Sequence, residues 1–332
     1  MDAASTIVGH GKQRKALLQD IATGNLAHAY LFSGEKHLGK FTVAKWFAAE
    51  ILTQGQSENE KQATAQLLKK NVHPDLLILD QLWIADVCTD WKVIARSSNV
   101  LQEERAKKKV KTDTIGIDDV RELQRRLHET AQKGRLCCLV RSLERLQTEA
   151  ANALLKILEE PPPHVLFCCT TESLSSLLPT VVSRMRVVEF SPLAPPELSP
   201  LLSSLPEEDR LLLLTVAQGS PGIIFRALDN PDVLREIKQQ HILAHRFLGS
   251  HSLTERFHEL LRSLEAGEER LLIRHLLLHL SEELRSEKRE QAEQATSFAR
   301  SLFSLLHLLQ SNPSRPLLSA YIALQSAPLT LA

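Results

Sequence analysis

No excess of charge of either sign marks this chain. Forty Lys and Arg balance forty Asp and Glu among 332 residues. That argues against a surface that binds polyanions over its whole extent, while leaving room for a local basic patch. Cysteine is scarce. Five cannot all pair, and no two stand at metal-ligand spacing, so a reducing compartment is expected rather than a disulfide framework. Long apolar runs are missing too. The longest Leu-rich piece, Leu271 to Leu280, is broken by Arg274, His275 and His279, well short of the roughly 18 residues a membrane span needs. Met1-Asp2-Ala3-Ala4 shows neither a basic start nor an apolar run, so no secretory leader is expected. The expectation is a soluble, cytoplasmic protein with no membrane partner. Aromatics are only 5% of the residues, yet hydrophobic residues reach 43%, with Leu and Ala dominant. That suffices for a core and tilts the chain towards helix. The length is that of about two or three ordinary domains.

The first half alternates between two periodicities. Helical patterns run over Lys12 to Thr23, Phe41 to Leu52, Asp118 to Thr130 and Thr148 to Glu159, the last stopped by Pro161-Pro162-Pro163. Between them lie short apolar runs: Ala29 to Phe32, Leu76 to Leu79, Leu136 to Val140, Val165 to Cys169 and Val187 to Phe190. Strands separated by helices imply an α/β fold, a parallel sheet covered on both faces. The pattern changes near Ser191-Pro192. A small helical unit follows, to the Gln218-Gly219-Ser220-Pro221-Gly222 turn and the helix after it. From about Leu234 onward only Leu-rich amphipathic segments appear, which predicts an all-α bundle. Residues from Leu82 to Asp113 fit neither class and read as an inserted loop. It is either a solvated excursion or a DNA-phosphate contact through Lys107, Lys108, Lys109 and Lys111.

Gly34-Glu35-Lys36-His37-Leu38-Gly39-Lys40-Phe41 follows a predicted strand and opens a predicted helix. That is the setting of a phosphate-binding loop, in which backbone amides, the helix N-terminus and the lysine face the anion. Gly34, Gly39 and Lys40 are the candidate nucleotide-binding residues. The metal side of the motif is degenerate. The position after the lysine should carry a hydroxyl for Mg²⁺ and is Phe41, with Thr42 about 100° further round the helix. The strand Leu136 to Val140 should lead to acidic residues and leads to Arg141. A loop kept for its shape, without hydrolysis, is expected. Weak metal-free binding of ATP or ADP is the alternative, and no metal is predicted.

Several blocks resemble the clamp-loader ATPases of bacterial DNA replication, an AAA+ family. Ile7-Val8-Gly9-His10 is similar to its start, His28 to Gly34 to the segment entering its phosphate loop, and His73-Pro74-Asp75 to the block after its zinc module. Ala150 to Pro162, reading AANALLKILEEPP, is the most specific match. Leu178 to Met185 resembles the family's Ser-Arg-Cys block, with Met185 in place of Cys. Gly222 stands where the motor subunits carry a nucleotide-sensing Arg. Degenerate nucleotide motifs with an intact Ser-Arg block look like the delta-prime kind of subunit. No cysteine lies between Lys40 and His73, so the family's zinc cluster is not expected.

The resemblance implies an AAA+ α/β core over 1–192, a small helical lid over 193–233 and a helical collar over 234–332. It implies a five-membered ring, with gamma/tau and delta subunits as partners. The ring would place a sliding clamp on primer-template DNA, touched through phosphates. Arg184 matches the arginine that one subunit supplies in trans to its neighbour's ATP, and Ser183 would orient its loop or cap the adjoining helix. A surface ion pair is the other reading of Arg184. An active ATPase of gamma/tau type and an unrelated nucleotide-binding module are the alternative functions. His275 and His279, four apart on one helix, are read as core or interface residues. Cys137-Cys138 and Cys168-Cys169 are read as buried small side chains straddling a sheet, and Glu159-Glu160 as solvated or intersubunit acids.

Overall fold

The computed structural model describes residues 7–69, 73–79, 114–127 and 134–249. Beyond these it describes 252, 254–256, 258, 273, 275–280, 296–302, 304, 321–323 and 326. The insert expected over 82–113 lies outside the described residues. Two compact units are present: one comprises 1–200 with 219–222, the other 201–218 with 223–332.

The first unit runs α1 (Gly11–Thr23), β1 (Ala29–Ser33), α2 (Lys40–Leu52), α3 (Glu58–Lys69), β2 (Leu76–Leu79) and α4 (Ile117–Leu127). It continues with β3 (Leu136–Val140), α5 (Thr148–Glu159), β4 (Val165–Thr171), α6 (Pro179–Val182), β5 (Arg186–Glu189) and α7 (Pro195–Leu198). The strands form one sheet in the order β2-β3-β4-β1-β5, and every pairing is parallel. β1 to β4 are buried along their whole length. Such strands need apolar residues on both faces, which explains their unbroken apolar runs.

Alternation divides the side chains between two cores. Ala29, Leu31, Cys138, Phe167 and Cys169 face α4 and α5, which contribute Val120, Leu123, Leu154 and Leu158. Tyr30, Phe32, Cys137, Leu166 and Cys168 face Leu17 of α1 and Val43, Ala44, Phe47 and Ile51 of α2. Each adjacent cysteine pair is therefore split across the sheet. All four thiols are buried and free, and burial drives their pKa values upward. Burial of each large ring, such as Phe47 or Phe167, contributes on the order of 2–3 kcal/mol. One polar tie crosses the second face. Tyr30 Oη donates to Asp20 Oδ2 at 3.0 Å, and Arg186 pairs with Asp20 Oδ1 at 2.9 Å, joining α1 to β1 and β5.

In the second unit, α8 spans Glu207–Ala217 and α10 Pro231–Gly249; between them α9 spans Pro221–Asp229, whose first two residues belong to the first unit. The limit expected at residue 233 falls inside α10. That helix starts earlier because Asn230 Oδ1 accepts from Asp232 N at 2.9 Å and Pro231 suits the first helical turn. Phe247, Leu248, Ile273, Leu276, Phe298, Leu302 and Ile322 form its core. Every described residue from 252 to 323 is helical or in a connecting position, with no strand among them. His275 is fully buried, as a core residue would be. The His241 and His279 rings stack at 4.5 Å between centroids. Among the described residues no group of three or more His, Cys, Asp or Glu is arranged to hold a metal. No helix among them is long and apolar enough to cross a membrane.

Burial, and then the neighbouring His241, push the His279 pKa down to about 4. A histidine that is harder to protonate in the folded state than in the unfolded chain stabilises the fold above the usual pKa near 6.5. That contribution is lost as pH falls towards 4. Denaturant melts between pH 7 and pH 4 are expected to show this loss, and His279→Gln is expected to flatten the slope. An unchanged slope would refute the assignment.

Candidate functional site

The phosphate-type loop sits at the C-terminal end of β1, between β4 and β5. Its entry is tied on both sides. Gly34 N donates to Thr171 O at 3.3 Å and Phe190 N to Ser33 O at 2.7 Å. Gly34 has φ 146°, and a Cβ there would stand 2.3 Å from the Phe190 carbonyl oxygen. Only glycine fits. Gly39, at φ 89°, precedes α2 as its left-handed cap, and the space a Cβ would enter there is open to at least 4 Å. His10 Nε2 lies 2.8 Å from Leu38 O, and its ring packs 4.6 Å from that of Phe190, so the start of the chain braces the loop. Burial lowers the His10 pKa, which favours the neutral ring.

Lys40 carries the buried charge of the loop. It is 8% exposed, and its ammonium donates to the carbonyl oxygens of Gly34 and Glu35, each at 2.5 Å. The lysine is folded onto the loop it belongs to. Burial lowers its pKa, and Glu172 followed by Glu144 work in the opposite sense. The Glu144 carboxylate is out of water and has no hydrogen-bond partner among the described residues, so it acts on Lys40 through space.

Two positions beside the loop lack the oxygen ligands that a magnesium ion uses. Position 41 presents a phenyl ring, and the Arg141 guanidinium lies 5.5 Å from the centre of that ring. A cation stacked on an aromatic face takes the direction from which metal-holding carboxylates would act. The Gly219–Gly222 turn closes the other side: Gly222 N donates to His37 O at 2.9 Å, and Ser220 Oγ lies 3.5 Å from Lys36 O. A Cβ at 222 would meet that same His37 oxygen at 2.9 Å, so position 222 is adapted to backbone contact with the loop.

Arg184 and Ser183 are elsewhere. Ser183 caps the C-terminal end of α6, its Oγ donating to Thr180 O at 3.1 Å. Arg184 follows, two residues before β5 begins. The Arg184 side chain is 34% exposed and pairs with Glu159 Oε1 at 2.7 Å, while Nη1 donates to Thr180 O at 2.8 Å. Met185, in the place of the family's cysteine, packs into the core on the α4–α5 face. Register shows the separation. β5 runs parallel to β1, with Tyr30 opposite Arg186 and Ser33 opposite Glu189. The phosphate loop follows the end of this pairing and Arg184 precedes its beginning, so a strand length of about 13 Å divides them.

The structure thus gathers Gly34, Gly39 and Lys40 at one edge of the sheet and places Ser183 and Arg184 at the other. Sequence reasoning passed over three contributors. His10 was visible only as part of the Ile7 to His10 block. Glu144 and Glu172 lie outside any motif and join Lys40 through the fold. Glu159 was singled out as an acid, but its partner lies 25 positions away.

Comparison with known proteins gives a consistent set. A family model described as DNA polymerase III, delta subunit, matches residues 9–194. The DNA polymerase III subunit delta' of Pseudomonas aeruginosa is 34% identical over 205 residues, 59% of this chain and 54% of that protein. The Bacillus subtilis subunit delta' is 28% identical over 219 residues, 65% of this chain and 55% of that one. The gamma/tau subunit of Mycobacterium tuberculosis H37Rv is 26% identical over 260 residues, 75% of this chain and 40% of that protein. The chain spans about half the length of the two delta' relatives it matches. A crystal structure of a DNA polymerase III gamma subunit-related protein from Thermotoga maritima has a TM-score of 0.50 at 18% identity, over 96% of this chain and 100% of that one. At that identity the likeness concerns the fold: an α/β domain with a parallel sheet, followed by helices.

The two loop glycines should respond differently to a methyl group. Gly39→Ala is expected to cost about 1–2 kcal/mol from backbone strain alone. Gly34→Ala adds a backbone collision and should cost more than about 3 kcal/mol. Equal shifts in urea melts would contradict this geometry.

Proposed function

Since the chain belongs to the DNA polymerase III delta-subunit family, we propose that it serves as a non-hydrolysing, delta-prime-type member of the clamp-loader ring, lending Arg184 to a neighbour's ATP site. The observation that carries this reading is the placement of Arg184. It is part-exposed, at the opposite sheet edge from the chain's own phosphate loop, so it is out of reach of any nucleotide held there. A guanidinium is permanently charged and presents a planar fork of donors. Delivered from a neighbouring subunit, it neutralises charge on a transferring phosphoryl group.

The chain's own loop supports the non-hydrolysing half of the reading. Lys40 is engaged with loop carbonyls, Phe41 supplies no hydroxyl, and Arg141 brings positive charge to the metal side. We assign no resident cofactor and no zinc. Any ATP or ADP held by Gly34, Gly39 and Lys40 would bind weakly and without metal. The proposed partners are the gamma/tau and delta subunits, the sliding clamp, and primer-template DNA through its phosphates. The proposed division is an AAA+ core over 1–192, a lid over 193–233 and a collar over 234–332. Similarity to gamma/tau subunits makes an active ATPase the second reading. Phe41 and Arg141 weigh against it.

Two measurements separate these readings. The purified chain with ATP and Mg²⁺ is expected to show no turnover above background; turnover that disappears in Lys40→Ala would establish the ATPase reading instead. In a complex reconstituted with gamma/tau and delta subunits, Arg184→Ala is expected to leave assembly intact and to lower ATP turnover, by up to about 10³-fold at the one site it serves. Unchanged turnover would remove the trans-arginine role.

A further inference from the structure

We propose that Glu159 is a positioning residue for Arg184, holding the guanidinium in a fixed orientation before the neighbouring subunit arrives. The inference rests on the trans-arginine reading of Arg184 and adds to it a second residue, on a different element.

The contacts define a cradle. Arg184 Nη2 donates to Glu159 Oε1 at 2.7 Å, and Nη1 donates to Thr180 O at 2.8 Å and to Ser183 Oγ at 3.5 Å. Three of the five guanidinium N–H groups are thereby used, and Ser183 is itself fixed by its bond to Thr180 O. The other two donors have no partner among the described residues and stay available for an incoming anion. An arginine free in water samples many rotamers, and a group that must meet a transition state within a fraction of an ångström gains when that freedom is removed in advance. The Glu159 carboxylate does this from one side of the fork and the turn at α6 from the other.

The setting of Glu159 points the same way. It is the last residue of α5, where unsatisfied carbonyls make the helix end negative, and exposed Glu160 follows it. A carboxylate is poorly placed there on helix grounds alone, and Arg184 offsets the cost. Pro161-Pro162-Pro163 then restrict the chain just beyond. Glu159 and Arg184 both lie at the sheet edge that precedes β4 and β5, so the pair faces away from the chain's own phosphate loop.

The test is steady-state ATP turnover by the complex reconstituted with motor and delta subunits, using four forms of this chain. Arg184→Ala sets the scale. Glu159→Ala is expected to lower kcat about three- to tenfold with the KM for ATP unchanged, because the arginine acts on the transferring phosphoryl group rather than on nucleotide binding. Glu159→Gln keeps an oxygen acceptor and is expected to stay within about twofold of wild type. In the double variant, Glu159→Ala is expected to add nothing to Arg184→Ala, since its effect passes through the arginine. If Glu159→Ala matches or exceeds wild-type turnover, the carboxylate restrains or merely accompanies Arg184, and the proposal fails. A loss that persists undiminished in the Arg184→Ala background also overturns it, as a structural effect. If Arg184→Ala itself leaves turnover unchanged, the trans-arginine reading falls and this proposal with it. Should Glu159→Ala not assemble, Glu159→Asp carries the test. It keeps the charge but falls one methylene short, and is expected to lose turnover; wild-type turnover for it overturns the proposal.

Discussion

A parallel sheet gives all its strands one direction, and both of its faces must be kept dry. In this chain those two demands organise the first unit. Helices α1 and α2 cover one face and α4 and α5 the other, with Tyr30, Phe32, Phe47 and Phe167 fully buried between the layers. Common direction then sorts the loops. Everything that follows a strand gathers at one edge and everything that leads into a strand gathers at the other. The loop Gly34–Lys40, Arg141 and Glu172 belong to the first edge. Glu159, Ser183 and Arg184 belong to the second.

The two edges differ in how charge is handled. At the loop, Lys40 is taken up by carbonyls of its own segment and is further balanced through space by Glu172 and Glu144. Phe41 and Arg141 form a cation–aromatic contact beside it. The Lys40 charge is thus balanced within the chain, while the buried Glu144 carboxylate has no hydrogen-bond partner among the described residues. At the opposite edge, the Arg184 and Glu159 side chains are 34% and 42% exposed, and the guanidinium retains donors that no described residue uses. An outward-facing cation held by a short ion pair suits an encounter with another subunit's anion, which the internally balanced Lys40 does not.

Much of the architecture was legible in the order of residues. Unbroken apolar runs such as Leu136 to Val140 mark strands buried on both sides, and the split of Cys137 from Cys138 follows from the two-residue period. Two helical features were also written there and were not read. Ser57-Glu58-Asn59-Glu60 has the sequence pattern of a capping box and opens α3, with Ser57 N and Oγ both donating to Glu60 Oε2, at 2.9 and 2.7 Å. Asn230-Pro231 opens α10 three residues before the hydrophobic pattern becomes clear. Both are end signals of one or two residues, which a reading of hydrophobic period overlooks.

Local order along the chain was enough to mark Gly34, Gly39 and Lys40 as a loop lacking its metal-side residues, because a phosphate loop is built from one continuous segment. It was enough to mark Arg184 as a residue of interest, but not to show what holds it. Where Lys40 directs its ammonium, how Arg141 comes to lie over Phe41, and that Glu159 grips Arg184 were decided only when α5, β3 and β5 took their places in the sheet. Hydrogen bonds and ion pairs depend on separations of about 3 Å, and for residues 25 or 100 positions apart that distance exists only after the layers have packed.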